Sequence, residues 1–210
     1  MTPVRKTATT TSTRESVFAA AATQFSAHGF DGVAMDDIAR EAGVNKAMIY
    51  YHFADKLALY RAIVSDGLQQ TSEAIGAIVS SSDTPPSKLD RFIAAFVGMT
   101  ENRPWLPAIM LREIAEGAPR LDPETMEHMR GVIAGFVAIL KQGQALGLFR
   151  PIHPILAYEW VIAPIIVNAA RERVAAQPER KSQEFPMLVE ISHAQLIAHG
   201  QETARRMLKP

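Results

Sequence analysis

The run MDDIAREAGVNKAMIYYHFADKLALY, residues 35–60, constrains the fold more than any other part of the chain. Ile38 and Ala39 stand one turn before Ala42, Gly43 supplies a tight turn, and Val44 and Ile49 return to the same apolar face. Helical spacing on both sides of a glycine predicts two short helices, about 35–42 and 45–52, that cross steeply. The second keeps one side free to enter a major groove, and its outward residues are expected to be Asn45, Lys46, Met48, Tyr51 and His52. Short polar and basic side chains at a helix N-terminus suit phosphate and base-edge contact. A plain helix pair inside a bundle has the same pattern, so spacing leaves both readings open.

The rest of the chain also reads as helix. Alternating β-branched stretches are missing, while Ala, Leu, Ile, Met and Gln dominate. Residues 1–12 are expected to be a flexible basic arm, with Thr13 capping a first helix whose stripe is Val17, Phe18, Ala21 and Phe25 and whose end is Gly29. Asp55 is placed to cap a long fourth helix reaching Ser80. The stretch SSSDTPPSK then reads as a linker-like break, followed by helices at about 87–101, 105–116, 123–146, 154–174 and 184–206. Pro164 falls inside one of these patterns and should kink that helix. The expected organisation is an arm over 1–12, a helix-turn-helix unit over 13–60 and a second helical unit over 61–210.

Charge does not announce a partner, because 22 Lys and Arg balance 22 Asp and Glu. The placement of charge is more informative: residues 1–14 carry Arg5, Lys6 and Arg14 with no acidic side chain, and Lys46, Lys56 and Arg61 stand against Asp55 alone between 45 and 61. The N-terminal cations either reach into a minor groove or belong to a solvated tail. No apolar run approaches the roughly 18 residues of a membrane helix, and the start of the chain lacks an apolar signal core. Cysteine is absent, which excludes disulfides and thiolate metal sites. The expectation is a cytoplasmic protein with no membrane partner.

Catalysis finds no support. There is no Gly-rich phosphate loop and no nucleophile with a base at local spacing, and His128, His153, His193 and His199 are scattered singly. Glu113 and Glu116 share a helical face three residues apart, a spacing that suits carboxylate chemistry, while Arg112, Arg120 and solvent offer the plainer reading of surface ion pairs. No enzyme, metal or cofactor is expected.

Residues 14–60 resemble the DNA-binding domain of the TetR (tetracycline-repressor-like) family. Phe25, Gly29–Phe30, Ile38–Ala39, Ala42–Gly43–Val44, Ile49–Tyr50, His52–Phe53 and Lys56 recur in the family's order and spacing. This covers about a quarter of the chain; the remainder resembles the family only in length and helical habit. The resemblance implies an all-α protein with an N-terminal three-helix helix-turn-helix domain and a C-terminal helical ligand-binding and dimerisation domain. It implies a homodimeric repressor that holds palindromic operator DNA and is released by a small-molecule effector. Carried over by position, Asn45 caps the recognition helix, Lys46, Ala47 and Met48 touch bases or adjacent backbone, and Tyr50 and Tyr51 meet thymine methyls and phosphates. His52 and Lys56 grip phosphate, while Val44, Ile49 and Phe53 are core. The chain departs from the family at Val33–Ala34–Met35, where a Ser or Thr usually caps the second helix; such a loss costs about 1 kcal/mol.

Large adaptable side chains fill the second half. Phe92, Phe96, Met99, Trp105, Ile109 and Met110 form one wall, Met126, Met129, Ile133 and Phe136 another, and Trp160 and Ile165 a third. Stripes of this kind form cores, and Met with Trp also lines flexible pockets. Together with the resemblance they make Phe96, Met99, Trp105, Met110, Ile133, Phe136, Trp160 and Asn168 the expected lining for a small, mostly apolar effector. Asn168 is then either a polar anchor or an interhelical hydrogen bond. Residues 154–169 are apolar almost all round, and Leu188, Ile191, Ala194 and Ala198 form a second stripe, which suggests a four-helix dimer interface. Two other readings stand beside this one: a DNA-binding protein governed by a protein partner, and a helical ligand-binding bundle with no DNA role.

Overall fold

A computed structural model describes residues 9–175 and 191–210, and the regular structure among these residues is α-helical throughout. The helices are α1 Thr9–His28, α2 Met35–Ala42, α3 Lys46–His52, α4 Lys56–Ser80, α5 Pro85–Asn102, α6 Leu106–Glu116, α7 Pro123–Ala145, α8 Pro154–Ala175 and α9 His193–Leu208. Most boundaries follow from caps legible in the chain. The Asp55 carboxylate accepts the Ala58 N–H at 2.7 Å and starts α4, and Asp122 accepts from Thr125 at 2.9 Å and starts α7. Ser192 and Gln195 form a reciprocal capping box at the start of α9.

Three expectations are corrected. Helix α1 is already under way at Thr9, so Thr13 lies inside it; no Gly or Pro separates the threonines from the Ala-rich stripe, and the helix extends through them. The linker-like stretch is a four-residue connection, 81–84, in which Ser81 bonds back to the Ile78 carbonyl and α5 starts directly at Pro85. Helix α9 starts at His193, where the capping box overrides the upstream apolar residues; Leu188 and the rest of 176–190 lie outside the described residues, as does the basic start of the chain with Arg5 and Lys6.

Two apolar cores form, and α4 is built into both. Val17, Ala21 and Phe25 of α1, Ile38 and Ala39 of α2 and Ile49 of α3 close over Leu59, Tyr60, Ile63 and Val64. Leu106 and Ile109 of α6 complete this first core. Farther along α4, Ile75 and Ile78 enter a second core with Leu89, Phe92, Ile93, Phe136, Ile139, Ala157, Ile165 and Leu208. Helix α4 lies closely along α7 because Gly131 and Gly135 face it: a Cβ at Gly135 would stand 2.2 Å from Ile75 Cγ2. The helix that leaves α3 therefore runs, without a break, into the heart of the C-terminal bundle.

Candidate nucleic-acid interface and apolar cavity

Gly43 ends α2 in the left-handed region at φ 66°, which a residue without a Cβ adopts without strain. The Val44 N–H then bonds to the Ala39 carbonyl at 3.0 Å and turns the chain sharply into α3. Asn45 caps α3, its Oδ1 accepting the Ala47 N–H at 2.9 Å. Ala34 precedes α2 with no side-chain cap, as the Val33–Ala34–Met35 departure predicts. Ile49 is fully buried and Phe53 nearly so, which fixes the roll of α3.

That roll turns Met48, Tyr50 and Tyr51 to solvent, and Tyr51, at 76 % exposure, is the most open large side chain of the helix. Ala47 is exposed beside them. A row of bare aromatic and thioether groups at the end of a helix-turn-helix is unusual for a surface with no partner. Lys46 is partly neutralised, because its ammonium pairs with Asp36 at 2.9 Å, and that hydrogen bond raises the lysine above its ordinary range.

Two expected phosphate ligands are placed differently. Lys56 donates to the carbonyls of Phe30 at 2.8 Å and Val33 at 2.9 Å, and its ammonium lies 4.3 Å from the Phe30 ring centroid. It braces the loop between α1 and α2, because those carbonyls have no helical partner and the lysine stem reaches them. His52 is half-buried, packed edge-on between Tyr51 and Phe53, with Nε2 sealed from solvent and without a partner. Arg14, on α1, lays its guanidinium 5.4 Å from the centre of the Phe53 ring.

Of the two glutamates expected in surface ion pairs, Glu116 makes one with Arg120, whereas Glu113 is buried in a junction. Glu113 is 0 % exposed; it accepts from the Tyr60 hydroxyl at 2.7 Å and from the Arg120 guanidinium at 3.0 Å. Arg120 also reaches Glu116 and, at 3.0 Å, Asp31 in the loop after α1. Arg112 donates to the Phe25, Ser26 and Ala27 carbonyls at 3.1, 2.8 and 3.2 Å, which satisfies the C-terminal end of α1. Burial, reinforced by the Glu113 bond, holds the Tyr60 phenol far above its ordinary pKa. Helix α6 is therefore tied by charge to both α1 and α4.

The other side of α6 faces a cavity of about 200 Å³. Leu106, Met110 and Ile114 line it at four-residue spacing, with Leu68 and Thr71 from α4 and Phe96 and Met99 from α5. Met129, Val132 and Ile133 of α7 and Tyr158, Ile162 and Ile166 of α8 close it, and none of the described lining residues is charged. Ile114 and Leu111 also remain open to solvent, at 64 % and 42 %, and mark the side on which the cavity is accessible.

Of the expected pocket residues, Phe96, Met99, Met110 and Ile133 meet in this cavity. The other four do not. Trp105 precedes α6 and packs toward Gly67 on the far side of Leu106. Phe136 is wholly buried among Phe92 and Tyr158. Trp160 is 68 % exposed on the outer face of α8. Asn168 is buried but satisfied along its own helix, donating to Glu172 and accepting from Arg171, both at 2.7 Å, so it is neither anchor nor interhelical bond. Among the lining residues missed is Tyr158; with Ile162 and Ile166 it stands at four-residue spacing on α8, a stripe hidden in sequence by the apolar residues surrounding it.

Residues 17–63 match the family model described as bacterial regulatory proteins, tetR family. The chain is similar to the HTH-type transcriptional regulator RutR of Escherichia coli (strain K12), at 26% identity over 141 residues, 67% of this chain and 66% of RutR. It is also similar to the biofilm operon icaADBC HTH-type negative transcriptional regulator IcaR of Staphylococcus aureus (strain Newman), at 32% identity over 83 residues, 40% of this chain and 45% of that protein. The chain thus matches just under two thirds of RutR's length. Among solved structures, the ketosteroid transcriptional regulator KstR2 of Mycobacterium tuberculosis superposes with a TM-score of 0.76 at 20% identity, covering 94% of this chain and 95% of that one. The transcriptional regulator FadR of Bacillus subtilis, solved in complex with stearoyl-CoA, gives 0.67 at 17% identity, covering 92% and 98%. At such identities the structural likeness speaks for the fold.

Proposed function

Since this chain belongs to the TetR family of bacterial regulatory proteins through its N-terminal helices, we propose that it is a repressor that binds palindromic operator DNA as a homodimer and releases it on binding a small apolar effector. One observation carries the reading: α4 begins beside the exposed face of α3 and, three to four turns on, lines the apolar cavity with Leu68 and Thr71. In this reading Lys46, Ala47, Met48, Tyr50 and Tyr51 meet DNA, and Asn45 orders the start of the helix that carries them. His52 and Lys56 support the interface from behind. The domain that reads DNA spans α1 to α3, and the rest of the chain binds effector and partner.

The dimer would form through α8, whose outer face carries Ile155, Leu156, Trp160, Pro164 and Val167, a contiguous apolar surface that one protomer leaves open. Two recognition helices must then stand about 34–36 Å apart, or a multiple of it, to read a palindrome. The effector's apolar character is supported by a lining whose described residues carry no charge. Two structural neighbours are a ketosteroid transcriptional regulator and a regulator solved with stearoyl-CoA, and a ketosteroid and stearoyl-CoA both have large hydrocarbon parts. Release requires the effector to favour the state that does not bind DNA, because equal affinity for both states shifts nothing.

The test is selection of genomic fragments on the purified protein, followed by gel shifts with and without apolar candidates. Sequence-specific binding lost on addition of one candidate is the expected result. Failure to select any sequence would favour a ligand-binding bundle with no DNA role. Specific binding that no small molecule relieves would favour control by a protein partner.

A further inference from the structure

Tyr158 is one of the few polar residues among those described that line a cavity otherwise made of hydrocarbon and thioether. Among the described residues fifteen line that space, and of these only Thr71 and Tyr158 are polar. The Thr71 hydroxyl is already used, donating to the Gly67 carbonyl within α4 at 2.8 Å. The Tyr158 ring is held edge-on by Phe136, with ring centres 5.6 Å apart, and its hydroxyl bonds to no described residue. Buried polar atoms without partners do occur in the chain, at His52 Nε2, Thr125 Oγ1 and His128 Nε2, but the Tyr158 oxygen is not one of these sealed atoms. A phenol in such a place wants a hydrogen-bond partner, and nothing in the described chain supplies one.

We infer that the cavity takes an uncharged, largely hydrocarbon ligand with one hydrogen-bonding oxygen, a ketone, ester or alcohol, which pairs with the Tyr158 hydroxyl. This rests on the reading of the cavity as the effector site and names the chemical class that site accepts. A carboxylate is disfavoured inside, because no Lys, Arg or His among the described residues lines the cavity and an unpaired buried charge is costly. Burial pushes the Tyr158 phenol up to about 12, so at neutral pH it is an intact O–H that donates to a carbonyl or exchanges with an alcohol. Met99, Met110 and Met129 surround the site with side chains that adjust to the ligand's outline, so the hydroxyl would select chemistry while the methionines tolerate shape.

The experiment uses the full-length protein and four probes of equal chain length: decane, 2-decanone, 1-decanol and decanoate. Each displaces the neutral fluorophore N-phenyl-1-naphthylamine from wild type, from Tyr158→Phe and from Ile133→Trp, the last filling the cavity. The expected order in wild type has ketone and alcohol ahead of both decane and decanoate. Tyr158→Phe, which keeps the ring against Phe136, should weaken the ketone by about three- to tenfold and leave decane unchanged. Ile133→Trp should abolish displaceable fluorophore binding. Decanoate binding best, or a ketone advantage that survives Tyr158→Phe, overturns the inference, as does unchanged binding in a folded Ile133→Trp. Gel shifts with the same probes separate this from the wider reading: the expected binding order with no effect on operator binding would sink the effector role and leave the ligand class standing.

Discussion

Tyr60 on α4 donates a 2.7 Å hydrogen bond to the buried carboxylate of Glu113 on α6. The next residue of α6, Ile114, lines the cavity, so a ligand that shifts α6 also shifts the acceptor on which Tyr60 depends. Arg120 continues the chain of bonds from Glu113 to Asp31 beside α1. The junction is made of ion pairs and hydrogen bonds with discrete partners, the kind of contact that exists in one arrangement or another and not in between.

Tyr60→Phe leaves that carboxylate one donor short. A hydrogen bond to a charged group contributes about 1.5–3 kcal/mol, and a loss of this size is expected in urea unfolding. The pH dependence has a definite sign. Tyr60 and Tyr158 both hold their protons above the ordinary tyrosine value of about 10. Above that pH the unfolded chain releases protons that the folded chain keeps, so stability is full below pH 10 and falls as pH rises toward about 12, where Tyr158 ionises. Tyr60→Phe should flatten this alkaline decline; an unchanged slope would remove Tyr60 from it.

The two lysines near the recognition helix should behave in opposite ways. Lys56→Ala removes the charged donor from two carbonyls of the α1–α2 loop and is expected to cost about 1–3 kcal/mol of stability. Asp36→Asn frees Lys46 from its ion pair and removes a like charge from the DNA-facing side. It should steepen the salt dependence of operator affinity by about 0.9 in log–log slope while leaving stability nearly unchanged. If Lys56→Ala instead keeps full stability and flattens the salt slope, Lys56 is a phosphate ligand after all.

Trp160→Glu places a charge in the centre of the exposed apolar face of α8. In a dimer built on that face the charge would be buried without a partner, so light scattering should report monomers and operator binding should be lost. A variant that stays dimeric moves the interface elsewhere on the surface.

Gly135→Ala forces a methyl to 2.2 Å from Ile75 and separates α4 from α7. Overpacking of this kind costs about 1–3 kcal/mol, which outweighs the helix-propensity gain of about 1 kcal/mol. Made on an Ile75→Val background, which removes a terminal methyl but not Cγ2 itself, Gly135→Ala should cost nearly as much, whereas on an Ile75→Ala background, itself destabilised by a cavity, its added cost should shrink. An equal added cost on both backgrounds would place the strain at another contact.

The helix-turn-helix was legible because its determinants are local. The turn at Gly43, the Asn45 and Asp55 caps and the Ile38–Ile49 spacing act over a few residues, and the sequence states them directly. The all-α class followed from periodicity in the same way. Which face of α8 turns inward did not, because residues 154–169 are apolar nearly all round and sequence offers no contrast from which to choose. Packing against α5 and α7 put Tyr158 and Ile162 in the cavity and left Trp160 outside. Glu113 was misread for a related reason: a charged side chain is by default solvated, and only partners far away in the chain reverse that default. Tyr60 is 53 residues from Glu113 and Phe30 is 26 from Lys56, so tertiary structure alone decided that one charge would be buried and the other would hold a loop.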